Sequence, residues 1–118
     1  MNSEQFISVI KEVVRRSAIK NTIENLEDPP GRQVKESEKD RSDWFNGLPN
    51  RDRSMVEGIV ADAVDEALFG LLCVIDGVRA IEKSGVTSRL DLVFRGEREV
   101  LLNNPDEIFL HDLYNDET

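Results

Sequence analysis

The sequence predicts an α+β fold with an N-terminal helix, a long central core helix, an antiparallel β-hairpin packed on it and a short C-terminal helix. Three observations lead to this prediction. Apolar residues recur at helical spacing before residue 27 and after residue 50, apolar side chains alternate on both sides of Gly96, and Asn104-Pro105 has the pattern of a helix start. Because 118 residues with 39% apolar content can bury a core, we expect one domain over residues 1–118.

The first helix is predicted from one apolar stripe. Either Asn2 or Ser3 can accept an early backbone N–H as its N-cap, and Gln5, three residues after Asn2, stands where a capping-box partner belongs. Pro29 and Pro30 exclude a continuing helix, so we expect it to end by Glu27. The stripe that we expect to be buried consists of Phe6, Val9, Ile10, Val13 and Val14.

Residues 27–43 are predicted to form a mobile charged loop. Ten of these seventeen residues are charged and only Val34 is a large aliphatic, so the segment has little apolar surface to offset the entropy of ordering it. It ends at Trp44 and Phe45, which we expect to fix the chain back onto the core.

The central helix is predicted to begin at Asn50, its N-cap, and to close at Ser84-Gly85. A straight helix over residues 51–83 would be about 50 Å long, too long for a compact chain of this size. We therefore expect either a break near Gly70 or Asp76-Gly77, or a second subunit that covers the overhang.

Residues 90–102 are predicted to form the hairpin, with an apolar face packed on the central helix. That face consists of Leu90, Leu92, Phe94, Val100 and Leu102. A two-residue turn would pair Phe94 with Glu99, whereas a three-residue loop over residues 96–98 pairs Phe94 with Val100, Leu92 with Leu102 and Arg95 with Glu99. We predict the three-residue loop, because it brings the aliphatic side chains opposite each other.

The C-terminal helix is predicted from its start signal. Asn104 is the expected N-cap, Pro105 fits the first helical position, and Asp106 and Glu107 are acids in the first turn. We expect this helix to run to about Tyr114.

Composition argues against several classes of function. The chain has 15 basic and 24 acidic residues, a formal charge of −9, which disfavours binding to a phosphate backbone. Its longest apolar run, residues 67–75, is too short to cross a bilayer, and acids at positions 4 and 12 do not fit a signal peptide. A single cysteine, Cys73, excludes an internal disulfide. We therefore expect a cytoplasmic protein with neither nucleic acid nor membrane as its partner.

No sequence motif indicates a reaction. The serine-hydrolase elbow and the glycine-rich nucleotide loops are missing, and Cys73 lies in the most apolar stretch of the central helix, where a thiolate is disfavoured. A Cys73–His111 nucleophile pair is therefore not favoured, and we predict neither a cofactor nor enzymatic activity. Asp76 is expected to cap a break at Gly77 or to pair with an arginine, Arg79 or Arg89.

Carboxylates on helix faces leave a metal site as the best enzymatic alternative. Asp62, Asp65 and Glu66 share one predicted face, and Glu107 and His111 are four residues apart. Neither set is a recognised ligand pattern, so a solvated face is the favoured interpretation.

Negative charge is concentrated in the second half of the chain. Residues 1–48 hold eight basic and nine acidic residues, whereas residues 49–118 hold seven and fifteen. If the last helix packs beside the central one, their acids form one negative surface interrupted by aromatic rings, as suits a binder of a basic protein. The partner-binding residues that we predict are Asp62, Asp65, Glu66, Trp44, Phe45, Asp106, Glu107, Asp112 and Tyr114.

These patterns favour a small acidic, non-catalytic module that sequesters or neutralises a basic protein partner, as immunity proteins and antitoxins do. In size and charge the chain resembles small bacterial immunity factors, although no motif assigns residues to a named family. The alternatives are a non-enzymatic adaptor or regulatory subunit that forms a homodimer, and a carboxylate-based metal-dependent enzyme.

Overall fold

The computed structural model describes residues 1–79 and 88–116 and confirms the predicted α+β fold. Two strands, β1 (Val93–Arg95) and β2 (Glu99–Leu101), form the hairpin. The described residues also form five α-helices and one π-helical segment: α1 (Ser3–Val9), the π segment (Ile10–Arg15), α2 (Arg16–Glu27), α3 (Glu36–Asn46), α4 (Asn50–Ile75) and α5 (Leu110–Asn115).

The chain divides into two compact units. Met1–Val14 and Glu66–Thr118 form the first, here called the terminal unit, and Arg15–Asp65 forms the second, the middle unit. Helix α4 contributes residues to both. The single domain expected from chain length stays a prediction.

The N-terminal helical run has the predicted ends. Asn2 Oδ1 accepts the backbone N–H of Gln5 at 2.8 Å, and Gln5 Oε1 accepts that of Asn2 at 2.9 Å, so the capping box is formed. The run ends at Glu27, before the two prolines.

The predicted buried stripe is wrong at its three valines. Val9, Val13 and Val14 are exposed, whereas Ile7 is buried. Val9 is two residues after Ile7 in α1, on nearly the opposite side of that helix, so it is exposed when Ile7 is buried. Val13 and Val14 lie in the π segment, whose wider turn advances by a smaller angle per residue than an α-helix and rotates them away from the face that Ile7 buries.

Helix α3 corrects the prediction of a loop over residues 27–43. The loop is confined to residues 28–35, and α3 begins at Glu36. Glutamate, lysine and arginine are good helix formers, so a run of charges also suits a solvated helix face. The helix is held at its far end, where Phe45 is 1% exposed and where Ser42 Oγ and Asn46 Nδ2 donate to the Glu27 carbonyl at 3.3 and 2.9 Å.

Helix α4 runs from Asn50 to Ile75 and ends at the second of the two predicted break points. The N–H of Arg53 donates to the Pro49 carbonyl at 3.0 Å, so the helix starts one residue earlier than predicted and the expected N-cap at Asn50 is wrong. Gly77 has φ +79°, its N–H donates to the Val74 carbonyl at 3.1 Å, and the N–H of Val78 donates to the Cys73 carbonyl at 3.0 Å. This is a Schellman motif, which requires a positive φ and therefore favours glycine.

The alternative break at Gly70 is wrong, because α4 continues through it. A Cβ at Gly70 would lie 2.8 Å from Nη1 of Arg79, so this glycine makes room for the arginine side chain. The helix end predicted at Ser84-Gly85 lies outside the described residues.

The hairpin has the predicted register. Phe94 pairs with Val100 and Arg95 with Glu99 across the three-residue loop. The N–H of Leu102 donates to the Leu92 carbonyl at 2.8 Å, which extends the pairing as predicted.

The apolar face of the hairpin is only partly buried. Leu102 is buried, and Leu92 packs against the cluster formed by Ile7, Leu72, Leu110 and Tyr114. The prediction is wrong for Leu90, which is exposed because it precedes the paired residues of β1.

Asn103 joins three segments of the terminal unit. Its amide nitrogen donates to the carbonyl oxygens of Ile75 and Leu90 at 2.8 and 2.7 Å, and its Oδ1 accepts the N–H of Leu92 at 2.9 Å. The residue is buried, so these backbone groups have little access to water.

We expect Asn103→Ala to lower the free energy of unfolding by about 2 kcal/mol, because it removes three hydrogen bonds and leaves buried backbone groups unpaired. Urea denaturation followed by circular dichroism measures this change. The neighbouring Asn104→Ala is the control, since Asn104 Oδ1 accepts only the exposed N–H of Asp106 at 3.0 Å. Equal losses in the two variants would contradict the proposed bridging role.

Candidate functional site

Helix α5 begins five residues later than predicted, at Leu110 instead of Pro105. Asn104 does act as an acceptor, but its bond to Asp106 closes a turn and does not start the helix. The acceptor at the N-terminus of α5 comes from elsewhere in the chain.

That acceptor is Asp76, whose side chain is fully buried. Its two oxygens accept the N–H groups of Leu110 at 3.1 Å and His111 at 2.9 Å. Asp76 follows Ile75, the last residue of α4, and occupies the C-cap position of that helix. Its side chain caps the start of α5. The predicted pairing with an arginine is wrong, because the N-terminus of α5 supplies the donors instead.

The imidazole of His111 completes this cluster. Its Nδ1 lies 2.6 Å from Asp76 Oδ2, and since a carboxylate only accepts, Nδ1 carries the proton. The ring stacks on Phe109 with centroids 5.5 Å apart and meets the edge of Phe69 at 5.7 Å. Nε2 lies 3.4 Å from the Asp112 carboxylate. Through the two backbone N–H groups that Asp76 accepts, the cluster joins the end of α4 to the start of α5.

Helix α1 is fixed against the same region of the terminal unit. Ser3 Oγ donates to the Leu102 carbonyl at 2.8 Å in a buried hydrogen bond, which holds the first turn of α1 at the end of the hairpin. Helices α1 and α5 pack together. The capping box of α1 and the Asp76 cap of α5 thus fix the two helices that border the candidate site.

The candidate site is a groove of about 460 Å³ in the terminal unit, here called the α1–α5 groove. Glu4 and Glu107 provide its carboxylates, and both residues are exposed. Ile108 is 62% exposed and adds an aliphatic side chain to the lining. The groove therefore combines two negative charges with an apolar surface. The complete lining is Asn2, Ser3, Glu4, Glu107, Ile108 and Leu113.

A second groove of about 270 Å³ shares Glu4 and Leu113 with the first. Lys11 lines it, donates to the backbone carbonyl of Asp116 at 3.1 Å and lies 5.5 Å from the centre of the Tyr114 ring. The carbonyl at the end of α5 and the aromatic ring both favour a cation. Lys11 therefore contributes a positive charge to the lining of the second groove.

The predicted site residues of the C-terminal segment differ in their positions. Glu107 lines the α1–α5 groove. Asp106 and Asp112 are exposed but are not among the lining residues. The prediction is wrong for Tyr114, which is 7% exposed and belongs to the core cluster. Because the preceding turns replace the first part of the predicted helix, Tyr114 falls on the inner face of α5.

The predicted aromatic pair also divides. Trp44 is 56% exposed, so the expectation that it fixes the chain onto the core is wrong. Phe45 is 1% exposed, so it is the buried anchor of the pair, and the prediction that it binds a partner is wrong. Adjacent helical residues point about 100° apart, so only one ring of the pair can occupy the core.

The predicted acids of α4 are exposed to different degrees. Asp62 and Glu66 are exposed, whereas Asp65 is half-buried and binds Arg15 through both carboxylate oxygens, at 2.6 and 3.2 Å. Asp65 is thus engaged within the middle unit. The single acidic surface expected to join these acids to those of the C-terminal segment stays a prediction.

Five of the six residues that line the groove were not predicted as site residues: Asn2, Ser3, Glu4, Ile108 and Leu113. Glu4 entered the sequence argument only as an acid that does not fit a signal peptide, and Ile108 and Leu113 fall within the helix predicted to begin at Pro105. The acid-rich segment 103–116, which contains no basic residue, was the available signal for this region. The burial of individual aliphatic residues depends on where α5 begins.

Comparison with known protein families, curated proteins and solved structures found no match to this chain. Among residues 1–79 and 88–116, no helix has the length and apolar character needed to span a membrane. In the same part of the chain, no three His, Cys, Asp or Glu side chains are grouped so that they could hold a metal ion. The cytoplasmic location stays a prediction.

Proposed function

We propose that this chain is a non-catalytic binding module that neutralises a basic protein partner, in the manner of an immunity protein or an antitoxin. The observation that supports the proposal is the α1–α5 groove, in which Glu4 and Glu107 accompany the exposed Ile108. A groove with this lining suits the side chain of a lysine or an arginine. Its alkyl stem packs on Ile108 and Leu113, and its cationic head meets the two carboxylates.

The charge of the surrounding segment supports the same partner. Residues 103–116 contain four acids and no base, and the whole chain has a formal charge of −9. A surface of one sign attracts a partner of the opposite sign during diffusion and disfavours partners of like charge. The exposed Ile108 adds an apolar contact that charge alone does not provide.

Affinity capture with the purified chain tests this proposal. At low salt we expect the chain to retain a basic protein that is released as salt rises, and to inhibit the activity of that protein. Glu4→Lys/Glu107→Lys is expected to abolish retention, because it replaces both carboxylates of the groove with like charges.

The control is Glu57→Lys/Glu97→Lys, which changes the net charge equally at two exposed residues outside the groove lining. We expect this variant to retain the partner. Circular dichroism checks that both variants are folded. Equal loss in both would indicate that only net charge matters, and would contradict the assignment of the groove.

A further inference from the structure

Helix α4 exposes two large apolar side chains in the middle unit. Met55 is 62% exposed and Ile59 is 67% exposed. They are four residues apart in one helix and therefore lie side by side on its surface. The fold of the middle unit leaves this apolar area in water, although folding and association both favour its burial.

Gly58 lies beside these residues, and the described structure contains no reason for a glycine there. Its φ is not positive, it lies inside α4, and a Cβ added to it would meet no atom within 4 Å. Glycine in a helix interior makes the helix less stable than alanine does. Close approach of another backbone would explain why a side chain is missing at this position.

Opposite charges lie at the two ends of the same face. Arg51 is one turn before Met55, and Asp62 follows Ile59 by three residues, so all of them fall within a stripe about 100° wide. Arg51 and Asp62 are exposed, and within residues 1–79 and 88–116 neither makes an ion pair or a hydrogen bond through its side chain. The stripe is therefore positive at one end, apolar in the middle and negative at the other end.

We propose that this face of α4 pairs with the same face of a second copy of the chain in antiparallel orientation. The face consists of Arg51, Met55, Gly58, Ile59 and Asp62. A two-fold axis near residue 57 brings each Met55 against the partner's Ile59, and places each Arg51 within about 1.5 Å, along the helix axis, of the partner's Asp62. Gly58 lies close to the crossing point, where a missing side chain lets the two backbones approach.

Sedimentation equilibrium of the full chain tests this dimer. As concentration rises to about 0.5 mM, we expect the mass to approach twice that of the monomer. Arg51→Asp and Asp62→Arg are each expected to raise the dimer Kd about tenfold, because each opposes two like charges. The double variant Arg51→Asp/Asp62→Arg is expected to restore the Kd to within about threefold of wild type, since it exchanges the charges and keeps them complementary.

Gly58→Gln provides an independent test that does not depend on charge. We expect it to raise the melting temperature of the monomer, since glutamine is the better helix former, and to weaken the dimer at least tenfold by holding the helices apart. Glu57→Lys, on the opposite side of α4, is the matched control and keeps the wild-type Kd. A wild-type chain that stays monomeric, or a dimer that responds to neither the charge variants nor Gly58→Gln, would overturn the proposal.

Discussion

Asp76→Ala is expected to lower the free energy of unfolding of the terminal unit by about 3–5 kcal/mol. The substitution removes the acceptor for the N–H groups of Leu110 and His111 and for His111 Nδ1. The Asp76 side chain is fully buried, so its removal also removes the cost of desolvating a charge. The same removal leaves three donors without a partner. The loss of these three hydrogen bonds outweighs the desolvation cost that is removed, so we expect Asp76→Ala to destabilise the terminal unit.

Urea denaturation followed by circular dichroism measures this loss, and the resonances of the only histidine report on α5. Asp76→Asn is the conservative control. It keeps one acceptor oxygen at nearly the same position, so we expect about half the loss. If Asp76→Ala changed stability by less than about 1 kcal/mol, the carboxylate would not hold α5 in place.

Phe45→Ala is expected to lower the free energy of unfolding of the middle unit by about 3–5 kcal/mol, the usual cost of emptying a site filled by a buried phenylalanine. Phe45 is 1% exposed and lies on α3 next to the residues that cap α2. Its loss leaves a cavity and weakens the packing of α3 on α2.

The neighbouring Trp44→Ala is the matched control, because it removes a larger ring that is 56% exposed. We expect it to change stability by less than about 1 kcal/mol. Trp44 is the only tryptophan, so its fluorescence follows unfolding of the middle unit in the Phe45→Ala variant, and circular dichroism is the readout for both. A larger loss for Trp44→Ala than for Phe45→Ala would contradict the assignment of the anchor.

Elements specified by residues close in sequence could be predicted. The register of the hairpin follows from alternation and loop length, so Phe94 pairs with Val100 as expected. The capping box of α1 lies within four residues, and the end of α4 at Gly77 depends on one glycine. Each of these features depends on residues that lie close to one another in the sequence.

Elements specified by distant residues could not be predicted. Helix α5 starts at Leu110 because Asp76, 34 residues away, supplies the acceptor. Helix α3 forms from a charged segment because Phe45 and the contacts to Glu27 order it. The position of Ile108 in the groove follows from the start of α5, so the site inherits this dependence on tertiary contacts.

The most direct test of the proposed function is the Kd of the purified chain with its captured basic partner, measured by calorimetry at low and at high salt. For wild type we predict that the Kd weakens as salt rises. For Glu4→Lys/Glu107→Lys we predict a Kd about 10- to 100-fold weaker at low salt, whereas Glu57→Lys/Glu97→Lys stays near wild type. A Kd that is the same for wild type and the groove variant, or the absence of any basic protein that binds, would contradict the proposal.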